Sequence, residues 1–362
     1  MKNTFGSDLS LTIFGESHGR AIGAVLDGMA AGVPVEEAFL AACMDKRRAR
    51  GDGLSTPRVE GDAVQFLSGV VNSRTTGTAI ALMIENTNTR SGDYAKTADL
   101  LRPGHADYTA YAKYHGFQDA RGGGHFSGRL TAPLCVAGGI ALQALEARGI
   151  RIAAHIASLG PEPICDTPLD PMKPNRVQLD AILANPLPCA SASAATRMRA
   201  CILDAKNDLD SVGGIVECVA YGVPAGLGDP MFDGIENRIA KIAFGIPAVK
   251  GVEFGAGMAA ARLRGSQNND PYRMDGDAVR PQTNHAGGIL GGITTGMPIV
   301  WRMAVKPTPS IGRRQQSVDL VARSDAELVV HGRHDPCIVP RAVPVAEAAC
   351  ALALLDALLE DA

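Results

Sequence analysis

The sequence predicts a mixed α/β fold of the α+β kind, built on antiparallel sheets rather than on a doubly wound parallel one. Three observations carry that expectation. Short β-branched apolar runs follow one another across tight turns, which suits hairpin pairing better than long crossovers. Helical spacing is confined to a few long stretches. The 41 glycines and 22 prolines fall in clusters between the apolar runs, marking many turns and close backbone approaches.

The elements follow in order. Runs at 9–14, 21–26, 63–71 and 78–84 read as strands, each ended by Gly, Asn or Asp. Between them 35–50 has helical spacing, with Glu36 and Glu37 at its start and Lys46, Arg47 and Arg48 at its end, the polarity a helix dipole favours. A second helix is predicted over 130–147, stopped by Arg148 and Gly149. Its internal Gly138 and Gly139 cost helix propensity, so they predict close packing. A third helix covers 192–208. Strands at 214–220 and 298–305 flank a helix near 236–244, and 345–359 makes an amphipathic C-terminal helix. Length alone suggests about two domains or one large one. No stretch reads as a linker, and the proline-rich 159–174 is the one candidate boundary. GAVLDGMAAGVP at 23–34 and GIVECVAYGVPAG at 214–226 echo each other as a strand and a Gly-Val-Pro turn. An internal repeat and chance both account for that echo.

Composition excludes several classes. A formal net charge of -3 gives no overall basic field for nucleic acid or lipid, and 4% aromatics leave few stacking platforms. The N-terminus lacks the basic segment and long apolar run of a signal peptide. No uninterrupted apolar run approaches the roughly 18 residues of a membrane span. Eight scattered cysteines without a C-x-x-C pair read as reduced thiols, which suits a cytoplasmic setting.

Six polar clusters carry the chemistry. In FGESHG, residues 15–19 fit G-x-S-x-G, the pattern of a nucleophile elbow around Ser17. An elbow needs a helix after the serine, and the residues that follow read as a strand, so the hydrolase reading fails on context. A capping turn, or His18 as a proton donor or acceptor beside an anion, remains. RPGHADY sets His105 just before a helical start, where an imidazole can meet a phosphate or carboxylate, or merely cap the helix. RGGGHFSGR brings backbone N–H groups of three glycines near a ligand, between Arg121 and Arg129, and matches neither a Walker A loop nor the dinucleotide pattern. NHAGGILGG is a weaker glycine stretch around Gly291. KPTPS offers Lys306 and two hydroxyls on stiff proline spacing, suited to a phosphate or a flavin edge, or to a surface turn. HGRHDPC looks metal-like, but its adjacent donors cannot converge on one ion and it lacks paired zinc spacing, so no metal is expected. Arg333 beside Asp335 instead suggests a carboxylate base next to an anion-binding guanidinium. Together the imidazoles, the carboxylate and Arg47, Arg48, Arg102, Arg129 and Arg333 suit a multiply anionic small molecule that loses a proton and expels phosphate.

These motifs, with TPRVEGD, SGV and TTGT, AVKGVEFG, RGSQNND and GRHDPCIVPRAVPVAEA, occur in this order along nearly the whole chain, which resembles chorismate synthase. The resemblance implies a β-α-β sandwich in a single domain over 1–362, with helices between antiparallel sheets, assembled as a homotetramer. It implies anti-1,4-elimination of phosphate from 5-enolpyruvylshikimate 3-phosphate to give chorismate, the closing step of the shikimate pathway, with reduced FMN and no net redox change. His105 would protonate the departing phosphate and His18 would hold or protonate the reduced flavin. Asp335 would act as base, relaying through the flavin. Ser17, Arg47, Arg102, Ser127, Arg129 and Arg333 would bind substrate. Arg47, His125, Phe126, Ser127, Pro247, Ala248, Gly291, Lys306, Pro307, Thr308, Pro309, Ser310 and Arg333 would line the flavin.

The chain departs from the family pattern in places. HFSGRLT at 125–131 stands where many members have R-S-S-A-R-E-T, and Pro247 stands where Asn is common. A further Arg often found near position 53 is missing. These changes fall on flavin and nicotinamide contacts. No long insertion is evident, so a monofunctional enzyme is expected, with NADPH only an indirect or external reductant.

Overall fold

A computed structural model describes residues 3–49, 53–56, 61–87, 99–161, 169–170, 172–173, 175–185, 187–330 and 335–361. In chain order the strands of the first sheet are β1 (Thr4–Phe5), β2 (Ser10–Gly15), β3 (Ala21–Asp27), β4 (Val64–Phe66) and β7 (Ile80–Glu85), with the small hairpin β5 (Val70–Val71) and β6 (Arg74–Thr75) between them. The second sheet uses β8 (Arg151–Leu159), β9 (Gly214–Tyr221), β10 (Val249–Phe254) and β15 (Ile299–Val305). Three hairpins complete the strands: β11 (Tyr272–Asp275) with β12 (Ala278–Pro281), β13 (Ile289–Leu290) with β14 (Ile293–Thr294), and β16 (Gln315–Asp319) with β17 (Ser324–Leu328). The helices are α1 (Glu37–Arg47), α2 (Asp107–Tyr114), α3 (Thr131–Glu146), α4 (Arg176–Ala184), α5 (Ala192–Asn207), α6 (Ile235–Ala243), α7 (Gly265–Asn268) and α8 (Val339–Glu360).

Both sheets are antiparallel, in the orders β1-β2-β3-β7-β4 and β10-β15-β9-β8. Their inner faces are covered by helices: α3 lies on the first sheet, α8 on the second, and the two helices pack on each other. The α+β expectation holds, and the helices do lie between the sheets. Alternation along β9 shows how a strand serves two faces. Val216, Cys218 and Ala220 join the main core with α8, while Val219 and Tyr221 join a smaller cluster with Leu169, Ile182 and Val300 on the outer face.

The glycine pair in α3 explains the seam. A Cβ on Gly138 would lie 2.3 Å from Ala348 Cβ, and one on Gly139 would lie 2.6 Å from Leu40 Cδ2. The helix therefore presses α8 with one glycine and α1 with the next. In α8, Leu352, Leu354 and Leu355 are fully buried, each worth roughly 1.5–3 kcal/mol. Both α8 and the segment Gly128–Glu146 are long and apolar enough to cross a membrane by length and composition, which run-length reading did not anticipate. Each is mostly enclosed between the sheets.

The internal echo is structural. Thr75 Oγ1 donates to Ala30 O at 2.6 Å and accepts from Val33 N–H at 2.9 Å. Thr294 Oγ1 repeats this, donating to Pro224 O at 2.6 Å and accepting from Leu227 N–H at 2.9 Å. The strand orders match as well, with β2-β3-β7-β4 answering β8-β9-β15-β10. The true register pairs Ala30 with Pro224, so the two Gly-Val-Pro turns of the sequence comparison are four residues out of step.

Boundaries moved for identifiable reasons. The run 63–71 breaks into β4 and β5 because Gly69 (φ +79°) turns the chain between them. The last helix begins at Val339, earlier than expected, since Pro340 sits in its first turn, where no N–H is needed, and Pro344 is accommodated inside it.

Candidate active site

The glycine run of RGGGHFSGR forms the spine of the site. Gly122 has φ +65°, and a Cβ there would lie 2.0 Å from both Nδ1 and Cε1 of His18 and 3.1 Å from Ser17 Oγ. Gly123 faces the other way, with its would-be Cβ 3.1 Å from His105 Nε2 and 3.6 Å from Ser127 Cβ. The run therefore passes between the two imidazoles, and only glycine fits. Two bonds lock it to the β2–β3 turn. Ser17 N–H donates to Gly124 O at 3.1 Å, and His125 Nδ1 donates to Gly15 O at 2.8 Å. Ser17 Oγ lies 3.3 Å from His18 Nδ1, but β3 follows directly, so the elbow geometry is missing.

Behind the run lies a buried carboxylate that sequence reading left unassigned. Asp62 bonds Arg47 Nη1 at 3.0 Å and also bonds Arg129 Nη1. Arg47 Nε further donates to Thr131 Oγ1 at 3.1 Å, and Arg129 Nε to Asn86 Oδ1 at 3.1 Å. Asn86 Nδ2 then donates to the carbonyls of Glu16 and Gly19, both at 3.0 Å, bracing the turn that carries Ser17 and His18. Two guanidiniums against one carboxylate leave this wall net positive. Asp62 lies in TPRVEGD, a motif that carried the family resemblance without giving this residue a role; nothing in the sequence marked Asn86.

Asp335 joins from the chain entering α8. Its Oδ1 accepts Thr56 N–H at 2.8 Å and its Oδ2 accepts Arg341 Nη1 at 2.5 Å. Arg341 Nε donates to Arg47 O at 2.8 Å. A continuous hydrogen-bonded path thus runs from Asp335 through Arg341, Arg47, Asp62, Arg129 and Asn86 to the His18 turn. Each carboxylate oxygen of Asp335 retains a lone pair for a further proton.

His105 stands beside the first residue of α2. Its Nδ1 is 2.5 Å from Asp107 Oδ1. Arg102 grips the same carboxylate, Nε to Oδ2 at 2.8 Å and Nη2 to Oδ1 at 2.7 Å. Burial would raise the Asp107 pKa, but the bonds from His105 and Arg102 outweigh it and hold it well below the usual carboxylate range. Arg102, expected to face substrate, is thus committed in large part to Asp107.

The flavin candidates are partly gathered. Gly104 touches Pro309, at 3.5 Å for a would-be Cβ, and Lys306 N–H donates to Ala248 O at 2.9 Å, so the 306–310 segment links the His105 loop to Pro247 and Ala248. Burial and the neighbouring Lys250 lower the Lys306 pKa, a strain an anion would relieve. Phe126 sits at the rim, its ring centroid 6.4 Å from that of Tyr114. Gly291 lies in the β13–β14 turn, with φ +64° and open space beside its would-be Cβ. Arg333, with His331 and His334, lies outside the described residues.

Comparisons with known proteins agree. The sequence profile of the family described as "Chorismate synthase" matches residues 9–359. The chain is 46% identical over 357 residues to a chorismate synthase of Korarchaeum cryptofilum, covering 99% of this chain and 97% of that one. It is 47% identical over 370 residues to the chorismate synthase of Lancefieldella parvula, covering 99% and 96%. A solved structure described as "Crystal Structure of Chorismate Synthase" superposes with a TM-score of 0.77 at 29% identity, covering 98% of this chain and 93% of that one.

Proposed function

The chain belongs to the chorismate synthase family, and from that premise we propose that it is a lyase converting 5-enolpyruvylshikimate 3-phosphate to chorismate and phosphate. The observation that supports this most is the gathering of His18 and His105 on either side of one glycine spine, beside a bonded path that joins Asp335, Arg341, Arg47, Asp62 and Arg129. It combines anion-binding groups with groups able to give and take a proton, as a phosphate-expelling elimination requires.

The residues carry out distinct tasks in this reading. Arg47 and Arg129, held by Asp62, neutralise the phosphate and carboxylates of the substrate, with Ser17, Ser127, Arg102 and Arg333 completing the anion contacts. His105 gives a proton to the departing phosphate. Asp335 takes up the proton lost from C6 of the ring. His18, packed on Gly122, holds its own proton toward the cofactor side.

Reduced FMN fits the residues present. Thr308 Oγ1 is buried without a hydrogen-bond partner among the described residues, a polar atom in the 306–310 segment that a bound group would satisfy. His125, Phe126, Ser127, Pro247, Ala248 and the 306–310 segment would hold it, with Arg47 and Arg333. When bound, reduced FMN supplies electron density to the elimination without net redox change. We further propose one domain over 1–362, a homotetramer, a cytoplasmic setting, and NADPH acting only through an external flavin reductant.

The test is anaerobic phosphate release from 5-enolpyruvylshikimate 3-phosphate with reduced FMN, oxidised FMN or no flavin, with chorismate absorbance followed in parallel. Release with reduced FMN alone is expected. Release in none of the three overturns the reading.

A further inference from the structure

We propose that Asp107 is the positioning residue for His105. It fixes the imidazole with Nδ1–H on the carboxylate and Nε2 turned to the glycine spine. This rests on, and deepens, the elimination reading above.

The carboxylate is itself immobile. Arg102 holds it with Nε, Nη2 and its backbone N–H, the last 3.0 Å from Oδ2. Asp107 also opens α2, so its backbone is fixed by the helix start. The remaining contact of Oδ1 is His105 Nδ1 at 2.5 Å, and a carboxylate so short of a ring nitrogen requires the proton on that nitrogen. Arg102 Nη2 also stands 3.2 Å from that nitrogen. Asp107 Oδ1 is nearer and accepts the Nδ1–H. Opposite, Nε2 faces Gly123, the approach to Ser127.

With Nδ1–H anchored, the imidazolium can surrender only its Nε2 proton. That proton passes to a phosphate oxygen as the C–O bond breaks and its electron pair leaves with phosphate. The ring ends neutral with Nδ1–H still on Asp107, poised for reprotonation at Nε2. The other charges near His105 are few. Arg102 shares its own segment, Arg129 lies past the glycine run, and Lys306 heads the segment whose Pro309 touches Gly104.

The test uses the full chain labelled with 15N-histidine. Above its titration His105, identified by loss of its signals in His105→Gln, should show the Nδ1–H tautomer. Asp107→Asn should switch it to Nε2–H and lower kcat about 10²-fold with KM within threefold. Asp107→Glu should restore part of kcat. An Nε2–H tautomer in the wild type, or Asp107→Asn turnover within threefold, overturns the assignment. Should Asp107→Asn fail to fold, the wild-type tautomer and Asp107→Glu decide. Should the wild type release no phosphate, the elimination reading falls, while the tautomer still judges the pair.

Discussion

Replacing Gly122 with alanine separates the site from the fold. The new Cβ would stand 2.0 Å from His18 Nδ1 and Cε1, where ordinary contact begins near 3.4 Å, so the ring must retreat by about 1.4 Å. His18 is buried, with Ser17 against its Nδ1, so the ring cannot swing aside at no cost. A displacement of that size is worth about 10²-fold in turnover where the imidazole takes part. The backbone adds its own cost, since alanine at φ +65° is strained by about 1–2 kcal/mol. Gly149→Ala isolates that cost. Gly149 has φ +79° and nothing within 4 Å of its would-be Cβ, so the strain appears without the clash. The strain should cost Gly149→Ala about 1–3 °C in Tm, and Gly122→Ala at least as much. Only Gly122→Ala should lose turnover, measured as anaerobic phosphate release with reduced FMN. Turnover of Gly122→Ala within threefold of Gly149→Ala would refute the packing of His18 on the glycine spine.

Other outcomes follow from the same geometry. His105→Ala should lower turnover by about 10²–10⁴-fold in the phosphate-release assay, and a loss under threefold would remove His105 from the chemistry. Asp335→Asn should keep flavin binding, followed by fluorescence quenching, yet slow turnover strongly; near-normal rates would end its role as base. Gly138→Ala places a methyl 2.3 Å from Ala348 Cβ and 2.5 Å from Ala348 Cα, an overpacking cost of about 1–3 kcal/mol. Helix propensity returns about 1 kcal/mol. Calorimetry should therefore show a lower Tm, and an unchanged or raised one would contradict the α3–α8 seam.

Much of the frame could be read from the chain, and the failures share a cause. The helices α1, α3, α5 and α6 and the strands β2, β3, β9 and β15 lie where hydrophobic period and flanking residues put them. Missed were α4, α7, β8, β10 and the hairpins β11–β12, β13–β14 and β16–β17. Strand β8 reads Arg-Ile-Ala-Ala-His-Ile-Ala-Ser-Leu, without clean alternation, because both its faces are covered: one by α8, the other by the cluster around Leu169 and Ile182. At the site, residues with their own chemistry stood out in sequence. Asp62, Asn86, Asp107 and Arg341 did not, because each works through a partner distant in sequence or masked by a more conspicuous neighbour. Asp62 meets Arg129 across 67 residues, and Asn86 braces a turn 67 to 70 residues away. No local spacing encodes such a pairing.

The duplicated frame explains why one chain carries one asymmetric site. Strands β7 and β15 hold equivalent places, and the segments leaving them, Asn86 in one half and 306–310 in the other, both reach the site. Helices α3 and α8 are likewise equivalent, and the segments entering them supply Arg129 and Asp335. Equivalent chain positions thus deliver different chemistry to one place, where the ends of both sheets meet the α3–α8 seam. The imidazole turn breaks the symmetry. Between β2 and β3 the connection is the tight 16–20 turn with Ser17 and His18, whereas between β8 and β9 it runs 160–213 and carries α4 and α5. Among the described residues the second half has no copy of the His18 turn, and it contributes through the strand exit and the helix entrance. A site assembled from two halves in this way depends on the seam between them. The close approach at Gly138 and the bonds through Arg341 and Asp62 fix the distance between Asp335 and the wall of Arg47 and Arg129.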